Sequence, residues 1–96
     1  MSSSELIDLV KKRLDNLKIP YEHVALSDKP RKKIMVIIDG KRIDFGAKGS
    51  HTWLEGASKQ KRDAYRARAS KITNKNGEYT YLIRYTPNFL AYNILW

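Results

Sequence analysis

The sequence contains no cysteine and no long apolar run. Without cysteine the chain forms neither disulfides nor thiolate zinc sites, a composition typical of a reducing compartment. No apolar run approaches the roughly 20 residues that span a bilayer. The first residues also lack the basic leader and apolar core of a signal peptide. We therefore expect a protein that is not secreted and does not act in a membrane.

Sequence patterns that support catalysis are also missing. His23 and His51 are far apart in the sequence, and no Ser or Cys nucleophile pattern accompanies them. Asp39, Asp44 and Glu55 are the candidate ligands for a divalent metal. However, Asp39 belongs to a turn, and Asp44 is the only acid on its strand, with no Glu-x-Lys after it as in metal-dependent nucleases. No Gly-Lys-Ser/Thr marks a phosphate-binding loop. We predict a non-enzymatic protein without metal or other cofactor.

What the chain does have is positive charge. Its 96 residues carry 19 Lys and Arg against 10 Asp and Glu, for a net charge of +9. The apolar share of 42% suffices for a compact fold, and the length predicts one domain over residues 1–96. The charge favours anionic partners, nucleic acid first and then acidic protein or a membrane surface.

Apolar periodicity predicts one helix and three strands in the first half of the chain. The helix begins at a capping-box spacing, with Glu5 three residues after Ser2, and Pro20 ends it. Asp39-Gly40 separates two apolar segments, and Gly accepts the positive φ of a type I′ hairpin turn. The predicted elements are a helix over residues 4–17 and strands over residues 21–26, 34–38 and 41–45.

The second half is predicted to contain two helices joined by a hairpin. Ser58 is the expected cap of a basic helix over residues 59–70, and Asn76-Gly77 marks a tight turn. Alternation after this turn predicts a strand over residues 78–85, and Thr86-Pro87 begins a last helix. The fold class is therefore α+β: a small antiparallel sheet of about three to five strands packed with an N-terminal, a central basic and a C-terminal helix.

The segment over residues 58–75 holds seven Lys or Arg side chains and one acid, Asp63. At 100° per residue its cations fall on two stripes, and alanines lie on a flank between them. We expect the alanines Ala64 and Ala67 to pack on the sheet while both stripes stay exposed. Tyr65 lies on the other flank, where it is available to stack on an unpaired base. One stripe is Lys59, Arg62 and Arg66, and the other is Lys61, Arg68 and Lys71.

A second basic cluster precedes the central strand. If it shares a face with the basic helix, several phosphates are engaged and binding weakens steeply with salt. The alternative for both clusters is a solvated surface that keeps the protein soluble. The second cluster is Lys29, Arg31, Lys32 and Lys33, with Lys41 and Arg42 across the hairpin. The predicted nucleic-acid-binding residues are Lys59, Lys61, Arg62, Tyr65, Arg66, Arg68, Lys71, Arg31, Lys32 and Lys33.

Aromatic residues are concentrated near the end of the sequence. Tyr79, Tyr81 and Tyr85 share one face of the predicted strand, which is more typical of half-buried packing than of stacking on bases. The aromatics of the last helix are expected in the core or as a dock for a second copy of the chain. These are Phe89, Tyr92 and Trp96.

One set of residues in the middle of the chain forms a recognisable pattern: the Phe45-Gly46-Ala47-Lys48-Gly49 segment, Lys61-Arg62, Tyr65 and Arg68. In this pattern the chain resembles a family of small uncharacterised proteins of large DNA viruses and some phages. The family pattern is a strand ending in F-G-A-x-G, an aromatic-containing loop, and a basic helix of the form R-K-x-x-Y-x-x-R-H. The resemblance covers residues 34–70 and the aromatic tail.

The resemblance implies a viral or phage origin. It also implies that the F-G-A turn and the Tyr65–Arg68 pair form one structural unit. The chain departs from the family pattern at Thr52-Trp53 and residues 56–58, where the family has Asp-Tyr and His-x-Asp, and at Ala69, where it has His. No role of those family residues therefore transfers to this chain.

Three functions are consistent with these features, and nucleic-acid binding, to DNA or RNA, is the first. The second is a virion structural or assembly protein that meets an acidic viral protein or the packaged genome and docks through its aromatic C-terminus. The third is a modulator of a host enzyme. The expected location is the host cytoplasm or nucleus, with packaging in the virion as an alternative.

Overall fold

A computed structural model of the protein describes residues 1–96, and its contacts divide the chain into two units. The first unit is Met1–Ser50 and the second is His51–Trp96. The single domain expected from chain length stays a prediction, and the two units are described separately.

The first unit begins with helix α1, Ser3–Asn16. The Ser2 side chain accepts a hydrogen bond from the Glu5 main-chain N–H at 3.2 Å, and the Glu5 carboxylate accepts one from Ser2 N–H at 3.4 Å. This reciprocal capping box satisfies two donors that the first helical turn would otherwise leave unpaired. The buried apolar stripe of α1 consists of Leu6, Val10 and Leu14.

Three antiparallel strands in the order β1-β2-β3 complete the first unit. The tight turn between β2 and β3 has positive φ at both central residues, 52° at Asp39 and 74° at Gly40, as a type I′ turn requires. One face of the sheet is buried because apolar residues alternate along β2 and face Phe45 on β3. The strands are β1, His23–Leu26; β2, Lys32–Ile38; and β3, Lys41–Ala47.

The second unit is mostly helical. A 3₁₀ turn, Trp53–Glu55, precedes helix α2, Lys59–Ala69. A short hairpin with one bridge, between Thr73 and Tyr79, leads to a second 3₁₀ turn, Thr80–Leu82. The chain ends in helix α3, Pro87–Leu90, and a π-helical turn, Ala91–Leu95.

The predicted α+β fold with an antiparallel sheet is confirmed, but the strand predicted over residues 78–85 is wrong. Only Tyr79 pairs as in a strand, through its bridge to Thr73. The backbone then turns, since Leu82 N–H donates to the Tyr79 carbonyl at 3.2 Å and Tyr85 has a φ of 70°. Alternating tyrosines therefore do not make a strand where no neighbouring strand supplies the ladder.

No helix of the protein has the length and apolar character needed to cross a membrane.

Candidate nucleic-acid interface

Helix α2 carries most of the predicted binding residues. The Ser58 side chain caps its start by accepting a hydrogen bond from Lys61 N–H at 3.2 Å, as the sequence predicts. The first turn contains no acidic residue, and Lys59 and Lys61 lie there instead. Lys59 forms an exposed ion pair with Asp63 at 2.7 Å, at the favourable i, i+4 spacing.

The two half-buried arginines of α2 hold the last residue of the sequence. Arg62 Nε and Arg66 Nη1 donate to the main-chain oxygen of Trp96 at 2.8 and 3.2 Å. The Tyr65 ring stacks on the Trp96 ring with centroids 4.5 Å apart and planes 12° apart. Trp96 itself is 6% exposed. These side chains therefore contribute first to the structure of the second unit.

Aromatic rings also contact both guanidinium groups. Arg62 lies over the Trp53 ring, 4.9 Å from its centroid, and Arg66 lies over the Tyr92 ring at 4.2 Å. Cation–π contacts of this kind stabilise a partly desolvated guanidinium. Phosphate binding by these two arginines stays a prediction. Each guanidinium that would make such a contact already binds Trp96 and an aromatic ring.

The predicted packing of α2 through its alanine flank is wrong. Ala64 and Ala67 are exposed, while Tyr65 is half-buried and Ala69 is buried. The larger apolar area of the tyrosine ring favours burial of that flank. Arg62 and Arg66 are half-buried as well, since these positions adjoin Tyr65 and Ala69 on the helix.

The other stripe remains in solvent. Lys61, Arg68 and Lys71 are exposed, and none of them forms an ion pair with an acid. They follow each other at i, i+7 and i+10, so Lys61 and Arg68 share one face of α2 and Lys71 follows its C-terminal end. We call these three residues the basic face. It is the strongest candidate site for a polyanion in the second unit.

In the first unit, the second basic cluster is partly neutralised by acids. Arg42 donates to both carboxylate oxygens of Asp44 at 3.0 Å and also contacts Asp28. Lys29 Nζ lies 3.4 Å from Asp44, and the Ser27 hydroxyl donates to Asp44 at 2.6 Å. The Asp44 side chain is 3% exposed, so the pair with Arg42 is partly buried.

Hydrogen bonds from Arg42 are the main reason why the pKa of Asp44 lies well below its usual range. Burial opposes this shift, and hydrogen bonds from Ser27 and Lys29 add to it. The hydrogen bonds that Arg42 donates to Asp44 and Asp28 in turn raise the pKa of Arg42. Lys29 and Arg42 are thus held by carboxylates and contribute little free positive charge to a ligand.

The remaining cations of this cluster differ in exposure. Arg31 is exposed, Lys32 is half-buried at the start of β2, and Lys33 Nζ donates to the Ser50 carbonyl at 2.7 Å. Arg31 therefore presents its charge openly, as does Lys41 at the start of β3. Its role in binding, like those of Lys32 and Lys33, stays a prediction.

The acids considered as metal ligands have other contacts. Asp44 is held by Arg42 and Ser27, and Glu55 accepts hydrogen bonds from Thr52 N–H and the Thr52 hydroxyl at 3.1 and 2.8 Å. Asp39 lies in the hairpin turn. No group of three or more His, Asp or Glu side chains is arranged to hold a metal ion.

The F-G-A-x-G segment and the Tyr65–Arg68 pair, expected to form one unit, belong to different compact units. Phe45 and Gly46 lie near the end of β3 in the first unit, while Tyr65 and Arg68 lie on α2 in the second. The spacing of motif residues in a family's sequences does not show which contacts their helices and strands make.

Sequence reasoning missed the contact between Trp96 and the two arginines of α2. The i, i+4 spacing of Arg62 and Arg66 with a tyrosine between them, together with an aromatic chain end, was the available signal. It missed the Asp44 network as well. There the signal was Arg42 and Asp44 at strand spacing i, i+2, which places both side chains on one face of β3.

Comparison with known proteins relates this chain to uncharacterised viral proteins. The model of the Family of unknown function (DUF5754) matches residues 22–69, which include all three strands and α2. The "Uncharacterized protein L851" of Acanthamoeba polyphaga mimivirus is 37% identical over 97 residues, covering 96% of this chain and 94% of the relative. No solved structure matches the chain.

Proposed function

This chain belongs to the Family of unknown function (DUF5754) and is a small viral protein, and we propose that it binds nucleic acid and catalyses no reaction. The observation that supports the proposal is the basic face. Lys61, Arg68 and Lys71 are exposed on or beside one helix without any acid to neutralise them. Phosphates are the natural ligands of such a row, because Arg and Lys bind them by charge-assisted hydrogen bonds.

The start of α2 gives a second argument for function. Cations near a helix N-terminus oppose the macrodipole, so lysines in the first turn lower helix stability. Lys59 is compensated by Asp63, but Lys61 is not. A residue that costs stability without a structural partner is a common sign of a binding role.

A merely solvated helix explains the basic face less well. Cations in the last turn, such as Arg68, do stabilise the helix through the macrodipole. That effect does not account for Lys61 at the opposite end, and solvated helices usually alternate the sign of their charges. Docking through the C-terminal aromatics has less support, since Trp96 is buried and Phe89 and Tyr92 are half-buried.

The test compares two variants of equal charge. In the first, Lys61, Arg68 and Lys71 are all replaced by Gln. In the matched control, three exposed lysines of the first unit, Lys12, Lys18 and Lys48, are replaced by Gln. Fluorescence anisotropy with a labelled oligonucleotide at about 50 mM salt, where counterion release favours binding, measures the affinity of each.

We expect the basic-face variant to bind at least about 10-fold more weakly than wild type, because each phosphate contact adds to affinity. The control variant loses the same net charge, but from residues outside the basic face. It should therefore bind within about twofold to threefold of wild type. Absence of any wild-type binding would contradict the proposal. So would equal weakening in the two variants, which would indicate attraction by net charge alone.

A further inference from the structure

Among the tyrosines of the second unit that pack on other aromatic rings, Tyr79 is the most exposed. It is 52% exposed. The Tyr81 ring meets it edge to face, with centroids 6.4 Å apart and an interplanar angle of 63°. Tyr81 in turn packs on Tyr92 at 4.9 Å, and Tyr92 lies under the Arg66 guanidinium. The ring is therefore supported from one side and open to a ligand.

Backbone hydrogen bonds connect Tyr79 to the C-terminal end of α2. Ile72 N–H donates to the Ala69 carbonyl at 3.3 Å, and Thr80 N–H donates to the Ile72 carbonyl at 3.0 Å. The bridge places Thr73 directly opposite Tyr79. The hairpin that presents the ring thus begins where α2 ends, next to the last cation of the basic face.

Two exposed lysines flank this bridge along the chain. Lys71 and Lys75 each lie two residues from Thr73 in the sequence, in the turns that precede and follow the bridge residue. Neither lysine forms an ion pair with an acid. A hairpin that carries an exposed aromatic ring and two exposed cations offers a base a stacking surface and the adjoining phosphates a charge.

We propose that this protein binds single-stranded nucleic acid, with phosphates on the basic face and an unpaired base stacked on Tyr79. The inference rests on the proposed function, which it narrows to one class of nucleic acid. Base–aromatic stacking tolerates any sequence because every base has a π-face. In a duplex those faces are covered by neighbouring bases, so only an unpaired strand uses both the cations and the ring.

The charge around the ring favours a polyanion as the occupant. The segment from Arg68 to Tyr79 contains three cations and one acid, Glu78, so its charge remains positive, and the rings beside it belong to tyrosine, whose hydroxyl is polar. A bilayer surface also combines negative charge with apolar contact. Vesicles therefore enter the test as the competing occupant.

The test measures four probes by the same titration. The first is a labelled single strand of about 20 thymidines, the second a duplex of the same length, and the third an abasic strand with the same phosphates and no bases. The fourth consists of vesicles with phosphatidylserine. Wild type is compared with Tyr79→Ala and Tyr79→Phe, and circular dichroism checks that each variant is folded.

We expect wild type to bind the thymidine strand more tightly than the duplex or the abasic strand. Tyr79→Ala should weaken binding of that strand about 5- to 100-fold, as expected when one base no longer stacks on a ring, and Tyr79→Phe should restore it. Binding of the abasic strand should be unchanged by either substitution, because it depends on the cations alone.

The inference is overturned, with the proposed function intact, if all three nucleic-acid probes bind equally and Tyr79→Ala has no effect. It is also overturned if the vesicles bind more tightly than the thymidine strand and lose affinity in Tyr79→Ala. If no nucleic-acid probe binds at about 50 mM salt, the proposed function fails and the inference fails with it.

Discussion

Arg66 shows that a cation on a basic helix can act as an internal structural residue. Its guanidinium donates to the Trp96 main-chain oxygen and lies over the Tyr92 ring. Both contacts lie within the second unit, and the side chain is half-buried. Arg68, two residues later on the same helix, is exposed and makes no comparable contact. We therefore expect the two arginines to differ in how much they contribute to the free energy of unfolding.

We expect Arg66→Ala to lower the free energy of unfolding by about 1–2 kcal/mol, because it removes a hydrogen bond and a cation–π contact. The matched control Arg68→Ala should change it by less than about 0.5 kcal/mol. Urea unfolding followed by tryptophan fluorescence measures this, because Trp53 and Trp96 both lie in the second unit. Equal effects of the two substitutions would contradict the structural role of Arg66.

Asp44 is a buried charge of the first unit that Arg42, Ser27 and Lys29 stabilise. Because its pKa lies below the usual carboxyl range, the folded state binds its proton less readily than the unfolded chain. Its contribution to stability is therefore fully present above about pH 4 and is lost as the pH falls below that value.

Asp44→Asn should lower the free energy of unfolding by about 2–3 kcal/mol at pH 7, since Arg42 and Lys29 lose their charged partner. The difference from wild type should shrink as the pH falls from about 4 towards 2. Circular dichroism of urea unfolding at each pH measures it. Asp8→Asn, which changes an exposed acid of α1 without an ion pair, is the control. A difference that stays constant across this pH range would argue against the ion pair as its source.

At the scale of elements, each of the two longer helices depends on a serine cap. Ser58 caps α2, and Ser2 caps α1 in the same way, both by accepting a main-chain hydrogen bond at 3.2 Å. The caps differ in what their helices carry. Only α2 holds Lys61 and Arg68 of the basic face, and Lys71 follows directly after it.

Ser58→Ala should destabilise α2 by about 1 kcal/mol and so weaken nucleic-acid binding without removing any charge. Ser2→Ala should destabilise α1 by a similar amount and leave binding unchanged. Amide hydrogen exchange of the two helices and an anisotropy titration of each variant measure both effects. Weaker binding by Ser2→Ala to the same degree would mean that global stability, and not the order of α2, sets the affinity.

The elements of the first unit were predictable because local rules decide them. The capping box at Ser2, the apolar period of α1 and the Asp39-Gly40 turn each specify their own backbone, and the observed helix and hairpin follow them closely. The strand predicted over residues 78–85 had no such support. Its alternation was genuine, but the Thr86 hydroxyl donates to the Thr80 carbonyl at 2.8 Å and the chain turns there instead.

The candidate site was predictable in composition but not in orientation. Helical periodicity correctly separates the Lys61–Arg68 stripe from the Arg62–Arg66 stripe. The stripe that stays in solvent is the one that no other residue covers. Trp96, which covers the Arg62–Arg66 stripe, lies about 30 residues away in the sequence. Periodicity carries no information about such a contact.

For the whole molecule, the positive charge is spread over both units but is free in only part of each. In the first unit, Asp44 and Asp28 hold Arg42, and Asp44 also holds Lys29. In the second, the basic face is unopposed. We therefore propose that a few specific cations, and not the net charge of +9, bind the nucleic acid.

The salt dependence of binding distinguishes specific cations from net charge. A titration repeated from about 50 to 200 mM salt gives the slope of log affinity against log salt, and each phosphate that the protein neutralises makes this slope steeper by about 0.7–0.9. The variant with Gln at positions 61, 68 and 71 should show a slope shallower than wild type by about 2. The control with Gln at positions 12, 18 and 48 should keep the wild-type slope. Identical slopes for all three proteins would contradict binding through Lys61, Arg68 and Lys71.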